Sequence, residues 1–84
     1  MTMTGEPTRY RWQRDSRYYE ALLEQDLFGW VVVRVWGGIG TRLGQVRTTP
    51  VNSYAEGTRE VDKIIHQRAV RHYQLVHCSS RDSF

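Results

Sequence analysis

The sequence has little of several features that other classes of protein need. Its one cysteine, Cys78, cannot form an internal disulfide bond, which fits a reducing compartment. The longest apolar run, Trp30–Val33, is far shorter than the ~20 residues of a transmembrane helix. The N-terminal segment, Met1–Pro7, lacks the apolar stretch of a signal peptide. We therefore expect a soluble cytoplasmic protein that does not partner a membrane.

The chain is also short. Its 84 residues, 39% of them hydrophobic, predict one small domain of 9.9 kDa. A chain of this length buries about 60–65% of the surface that its unfolded form exposes, so its core is modest. This size excludes most multi-domain cofactor enzymes.

Lysine is nearly absent, although the chain is basic. Twelve basic residues oppose nine acidic ones, for a net charge of +3, and only Lys63 among the twelve is a lysine. Guanidinium groups pair bidentately with phosphate and stack on rings, and the chain adds three Trp, five Tyr and two Phe. This mixture suits nucleic-acid binding, while an ordinary solvated surface rich in arginine remains the alternative.

Alternating apolar and polar residues predict an antiparallel β-sheet. The segment Trp30–Trp36 is densest in β-branched and aromatic residues and is predicted to lie at the centre of the sheet. Residues 25–29 contain a glycine and are predicted to form a hairpin loop. The predicted strands cover residues 9–14, 17–25, 30–36, 45–49 and 73–76.

A capping box predicts where the single helix begins, with Ser53 at the N-cap and Glu56 three residues later. The helix is predicted to run to His72, and its inner face carries apolar residues at three- and four-residue spacings: Tyr54, Val61, Ile64, Ile65, Ala69 and His72. The expected fold is α+β, a twisted antiparallel sheet of four to five strands packed against one α-helix. Residues 9–77 are expected to form the domain, between flexible tails at 1–8 and 78–84.

The glycine-rich segment Gly37–Gly44 does not have the context of a phosphate loop. Gly44 is followed by Gln45 where a Walker loop has Lys, and the segment leads into a predicted strand rather than a helix. The glycines are instead predicted to supply a β-turn loop with positive φ.

We expect no metal site, no catalytic nucleophile and no cofactor. No second cysteine accompanies Cys78, which falls in the predicted tail, where nothing would fix it against a base. The carboxylates Glu20, Glu24 and Asp26 alternate along a predicted solvent face. The histidines are interpreted as surface or core-edge residues: His66, His72 and His77.

The segment from Arg34 to Gln45 is the most informative in the sequence. Its strand, tryptophan, glycine turn and arginine-bearing loop resemble the signature of the WGR domain family, Trp-Gly-Arg followed by x-Gly-x-x-Gly-Gln. The helix that opens at Ser53 and the closing element at 72–76 are similar to later elements of the family. The resemblance therefore covers roughly residues 9–77.

The resemblance implies a fold and a function. The fold is a twisted antiparallel sheet against one helix, and many bacterial members are small stand-alone proteins. In the DNA-dependent poly(ADP-ribose) polymerases, this domain grips DNA near a break, with its tryptophan against the terminal nucleotide and basic loop residues near the backbone. We therefore expect a non-catalytic module whose partner is DNA, with a preference for duplex ends or nicks.

Residue by residue, the motif carries over only in part. Trp36 matches the motif tryptophan, Gly37 and Gly40 match glycines, and Gln45 matches the glutamine, but the motif arginine is replaced by Gly38. We expect Trp36 to stack on a terminal sugar or base, and nearby arginines to contact phosphates. The candidate nucleic-acid-binding residues are Trp36, Arg34, Arg42, Arg47 and Gly40.

The second hypothesis is a protein–protein interaction adaptor that uses the sheet face or an apolar patch. The candidate patch residues, which alternatively fill the core, are Tyr18, Tyr19, Leu27 and Phe28. A DNA partner is favoured if Arg34, Arg42 and Arg47 converge on one face around Trp36. A protein partner is favoured if these arginines diverge while an apolar patch is exposed.

Overall fold

Five strands and one helix follow each other in the order that the sequence predicts. A computed structural model of the chain describes residues 6–42 and 44–80, with the side chains of 79 and 80 excepted. The elements are β1 (Thr8–Arg14), β2 (Arg17–Asp26), β3 (Gly29–Gly38), β4 (Gly44–Val51), α1 (Tyr54–Val70) and β5 (Gln74–Ser80). The predicted α+β class, an antiparallel sheet packed against one helix, is confirmed.

The sheet is an antiparallel meander closed by one long connection. Its strand order is β4-β3-β2-β1-β5, and α1 carries the chain from the β4 edge to the opposite edge, where β5 pairs with β1. Two-residue turns join the first three strands. In the first, Asp15 has a φ of +54°, and in the second, Asp26 Oδ1 accepts hydrogen bonds from the N–H groups of Phe28 and Gly29 at 2.8 and 3.0 Å.

Strand alternation gives the sheet a helix-covered face and an open face. Trp30, Val32, Arg34 and Trp36 of β3 share the helix-covered face, where Tyr19 of β2 lies directly opposite Trp36. The buried core lies between this face and α1, and its members are Trp12, Tyr19, Ala21, Leu23, Trp30, Val32, Val61 and Ile64.

The helix begins as predicted. Ser53 Oγ accepts a hydrogen bond from the N–H of Glu56 at 3.1 Å, while Glu56 Oε1 accepts one from the N–H of Asn52 at 2.9 Å. Val61 and Ile64 are buried, and Gly57, which the periodicity did not identify, is buried with them. Within the described part of the chain, no helix is both long and apolar enough to cross a membrane.

The predicted end of the helix was wrong. The helix stops at Val70, Ala69 is exposed, and His72 lies in the following turn with a φ of +66°. The backbone of Arg71 and His72 donates back to carbonyls in the last turn, which closes the helix two residues before the predicted end.

All five strands extend beyond their predicted bounds, and Gly37, Gly38 and Gly44, predicted to lie in the turn loop, belong to β3 and β4. β4 includes Pro50. Proline has no N–H to donate to a neighbouring strand, and it is tolerated here because β4 lies at the edge of the sheet. β5 runs to Ser80, and Cys78, predicted to lie in a tail, is paired opposite Tyr10 of β1. The flexibility of the two tails stays a prediction, since residues 1–5 and 81–84 lie outside the described residues.

Candidate functional site

Trp36 lies near the end of β3 and is half-buried. Its ring stacks on Tyr19, its cross-strand partner, with ring centroids 5.9 Å apart and planes inclined by 14°. Tyr19 is in turn in edge contact with Trp12 and Tyr73. The core thus fixes one side of the indole, and Trp36 also lines two surface recesses.

The larger recess, here called the aromatic cleft, has a volume of about 540 Å³. One wall is the stacked pair Tyr19 and Trp36, and another is formed by Arg68 and Tyr73. The remaining lining residues come from the β1–β2 turn and the end of β3: Ser16, Arg17, Tyr18, Gly37 and Gly38.

Arg68, in the last turn of α1, projects over the aromatic cluster. Its guanidinium carbon lies 4.2 Å from the centroid of the Tyr19 ring and 4.9 Å from that of Tyr73. Its Nε is buried and has no hydrogen-bond partner among the described residues. Arg68 was not among the residues predicted from the sequence, although its spacing of four from Ile64 and three from Ile65 places it on the inner face of the helix.

Two of the predicted arginines are brought together. Arg34 on β3 and Arg47 on β4 are direct cross-strand partners, on the same face as Trp36. Arg34 is half-buried, with an Nε that has no partner among the described residues, and Arg47 is exposed. Like charges directly opposite each other repel, and no ion pair of the described residues neutralises either one. The pair therefore forms a site of uncompensated positive charge.

The loop between β3 and β4 carries the other two predicted residues. Gly40 has a φ of +83°, which L-residues rarely adopt, and a Cβ there would meet no atom within 4 Å. Arg42 is exposed in the same loop, so it is not part of the Arg34–Arg47 pair, which lies in the sheet. The N–H of Ile39 donates to the Ser16 carbonyl at 2.7 Å, which ties this loop to the β1–β2 turn beside the aromatic cleft.

Glu20 neutralises two other arginines on the open face, contrary to its predicted solvent exposure. Its side chain is 9% exposed and accepts hydrogen bonds from Arg9, at 3.0 Å, and from Arg11. Burial by itself raises the pKa of this carboxyl, but the hydrogen bonds and charges of the two arginines outweigh burial and lower it. Arg9 and Arg11 are therefore less available to an anionic ligand.

The predicted apolar patch does not exist as one surface. Tyr19 is in the core, and Tyr18 lies on the open face, where Arg11 packs over its ring at 4.5 Å. Leu27 and Phe28 lie at the opposite end of β2, at the tip of its hairpin with β3, and are 94% and 96% exposed. Only this hairpin tip keeps the character of an exposed apolar surface.

Metal ligands do not cluster in the described ranges, 6–42 and 44–80, which hold no group of three or more His, Cys, Asp or Glu residues suited to a metal ion. Burial raises the pKa of Tyr10, and the neighbouring Cys78 adds to that effect. This pair lies where β1 meets β5, away from Trp36.

Comparison with known proteins gives one match. The family model of the WGR domain matches residues 8–79, which is nearly the whole chain. No curated protein and no solved structure matches the chain significantly. The match extends from β1 into β5, so that it includes the sheet, the helix and the aromatic cleft.

Proposed function

The chain belongs to the WGR domain family, a non-catalytic family of nucleic-acid-binding type, and from that premise we propose that it binds DNA at duplex ends or nicks. The observation that carries the proposal is the Arg34–Arg47 pair beside Trp36. Two guanidinium groups without carboxylate partners lie next to a half-buried indole whose other side is fixed by Tyr19. This arrangement suits a ligand that is both anionic and flat, as a nucleotide is.

The proposed roles follow from the positions of the residues. Trp36 stacks on a terminal sugar or base, while Arg34, Arg42 and Arg47 contact backbone phosphates. Gly40 lets the loop approach the backbone closely, since it presents no side chain. The outward face of α1 carries mixed charges, with Asp62 exposed beside Arg59 and Lys63. We therefore expect backbone and end contacts rather than readout of base sequence by a recognition helix.

An NMR titration of the labelled protein with a blunt, 5′-phosphorylated duplex tests this proposal. We expect the shifts to concentrate in residues 34–47 and near Trp36. Arg47→Gln, at an exposed position, is expected to weaken binding about tenfold, as expected for loss of one charge-assisted phosphate contact. The matched control is Arg59→Gln, also exposed but on α1, which is expected to bind as the unaltered protein does. Equal losses in both variants, or no binding at low salt, would contradict the proposal.

A protein-interaction adaptor is the second candidate, and the hairpin tip favours it. Leu27 and Phe28 are almost fully exposed on a turn that Asp26 holds by two hydrogen bonds. A photoreactive phenylalanine at position 28 in cells tests this function, with the same group at position 59 as the control. One protein cross-linked from position 28 alone supports an adaptor, and the absence of any such product argues against it.

A further inference from the structure

The guanidinium of Arg68 contacts aromatic rings and has no anionic partner among the described residues. Two aromatic rings fix its guanidinium, at 4.2 and 4.9 Å, and no ion pair of the described residues includes it. Cation–π contacts orient the guanidinium plane, but a ring face accepts none of its N–H groups as a carboxylate or phosphate does. Because its Nε is buried, the donors that face a ligand in the aromatic cleft are those of the terminal Nη groups.

Gly38 lines the same cleft as Arg68 and has no side chain to offer a ligand there. Position 38 follows Trp36 by two residues, so a side chain there would lie on the same face. A Cβ at position 38 would meet its nearest atom, Thr41 Cγ2, at 3.4 Å, which is an ordinary contact. The backbone thus accepts a side chain at this position, but the sequence provides none, and the helix supplies the positive charge instead.

We propose that the aromatic cleft is a nucleotide subsite whose cation is Arg68: the nucleotide lies against Trp36 and its phosphate is bound by the Arg68 guanidinium. This inference rests on the proposed function and deepens it, because it adds a phosphate contact from α1 to those proposed for β3, β4 and the loop between them. A cleft of about 540 Å³ has the size of sites that hold molecules such as a single nucleotide.

The aromatic walls favour a nucleotide over a simple anion. Trp36 and Tyr19 are already stacked and Trp36 is only half-buried, so a base or sugar that stacks on the indole would extend the stack. A carboxylate alone would leave these rings without a partner. Arg17 lines the same cleft and is exposed, which adds a second positive charge there.

The test exchanges the cation between the helix and the strand. Arg68→Met keeps an unbranched side chain over the two rings and removes the charge, and we expect it to weaken binding of a blunt, 5′-phosphorylated duplex about tenfold in fluorescence anisotropy. Adding Gly38→Arg to this variant is expected to recover most of the affinity, because it returns a guanidinium to the cleft from β3. Recovery from a different element distinguishes binding from a role in packing.

The outcomes separate this inference from the proposed function. If Arg47→Gln weakens binding but Arg68→Met does not, the DNA function stands and Arg68 serves only to pack the helix. If neither variant weakens binding, the inference and the proposed Arg47 contact both fail, although the protein still binds DNA. If the unaltered protein does not bind the duplex at low salt, the proposed function itself fails. A folded double variant that recovers nothing also overturns the inference. If Arg68→Met does not fold, Arg68→Lys is the substitute: it keeps the charge but loses the fork, and we expect a loss of two- to fivefold, whereas unchanged binding overturns the inference.

Discussion

Gly57 lies where α1 comes closest to the sheet. A Cβ at this position would fall 2.5 Å from Leu23 Cδ1 and 3.3 Å from Val51 Cγ2. Leu23 is 2% exposed, so its side chain has little room to rotate away. The missing side chain at position 57 therefore sets the spacing between the helix and strands β2 and β4.

Gly57→Ala is expected to destabilise the domain by about 1–3 kcal/mol, because overpacking the core outweighs the ~1 kcal/mol that alanine normally contributes in a helix. Urea unfolding followed by circular dichroism measures the change in the free energy of unfolding. Ala55→Gly, at an exposed position in the same helix, is the control and isolates the propensity effect, about 1 kcal/mol. A Gly57→Ala variant more stable than the unaltered protein would contradict this account of the spacing.

Glu20 gives stability that depends on pH. Its pKa is lowered in the folded state, since the contacts with Arg9 and Arg11 outweigh burial. This contribution is therefore fully present above the unfolded pKa, near 4.5, and is lost as the pH falls through the folded value. We expect Glu20→Gln to lower the free energy of unfolding by about 1–3 kcal/mol at pH 7.

The difference between the Glu20→Gln variant and the unaltered protein is expected to shrink as the pH falls below 4.5, as measured by urea unfolding across pH 3–7. Glu24→Gln, at an exposed position on the same strand and face, is the control and should change stability little at any pH. A Glu20→Gln effect that is constant from pH 7 to pH 3 would show that the carboxylate charge is not the cause.

These two residues show how far a sequence can predict burial. Alternation places Glu20 on the face away from the helix, and that placement is correct. Its burial depends on two arginine side chains from β1 that cover it, which the pattern along β2 does not contain. The role of Gly57 likewise requires the distance between the helix and the sheet, a property of the packed structure and not of the helix sequence.

At the scale of elements, the sequence predicts correctly those features whose contacts join residues close together in the chain. The capping box predicts the start of α1, and Asp26 and Gly29 predict the β2–β3 hairpin. The end of β5 depends instead on pairing with β1, more than 60 residues earlier in the chain, so Cys78 was assigned to a tail. The same distinction holds for the candidate site. Strand alternation predicts that Arg34 shares a face with Trp36, but only tertiary packing brings Arg68 to the cleft that Trp36 lines.

The start of α1 is stabilised by one side chain that can be removed. Ser53→Ala deletes the acceptor of the Glu56 N–H and is expected to destabilise the domain by about 1 kcal/mol in thermal or urea unfolding. Ser53→Asp supplies another acceptor at the N-cap and is expected to retain stability. Equal losses in the two variants would show that the hydroxyl acts through something other than capping.

At the scale of the whole molecule, the two ends of the sheet differ in charge. Arg14 and Arg17 are cross-strand partners at the end that holds Trp36, and Arg17 is also opposite Gly38. The other end of β2 carries Glu24, Asp26 and the apolar hairpin tip, residues 27–28. Even with Asp15 beside Arg14, the Trp36 end of these strands is net positive and the other end is net negative, so we expect a polyanion to approach the Trp36 end.

This asymmetry predicts how DNA binding depends on salt. The phosphate contacts proposed for Arg34, Arg42 and Arg47, with the fourth proposed for Arg68, predict a slope of log affinity against log salt of roughly −3.6, since each contact on duplex DNA contributes about 0.9. Anisotropy titrations between 50 and 200 mM salt measure the slope. Arg47→Gln is expected to reduce its magnitude by about 0.9, because one fewer counterion is released, whereas Leu27→Ser at the uncharged tip is expected to leave it unchanged. A flat salt response, or a slope that Arg47→Gln does not alter, would mean that the cations beside Trp36 do not contact phosphate. The exposed hairpin tip would then be the stronger indication of function.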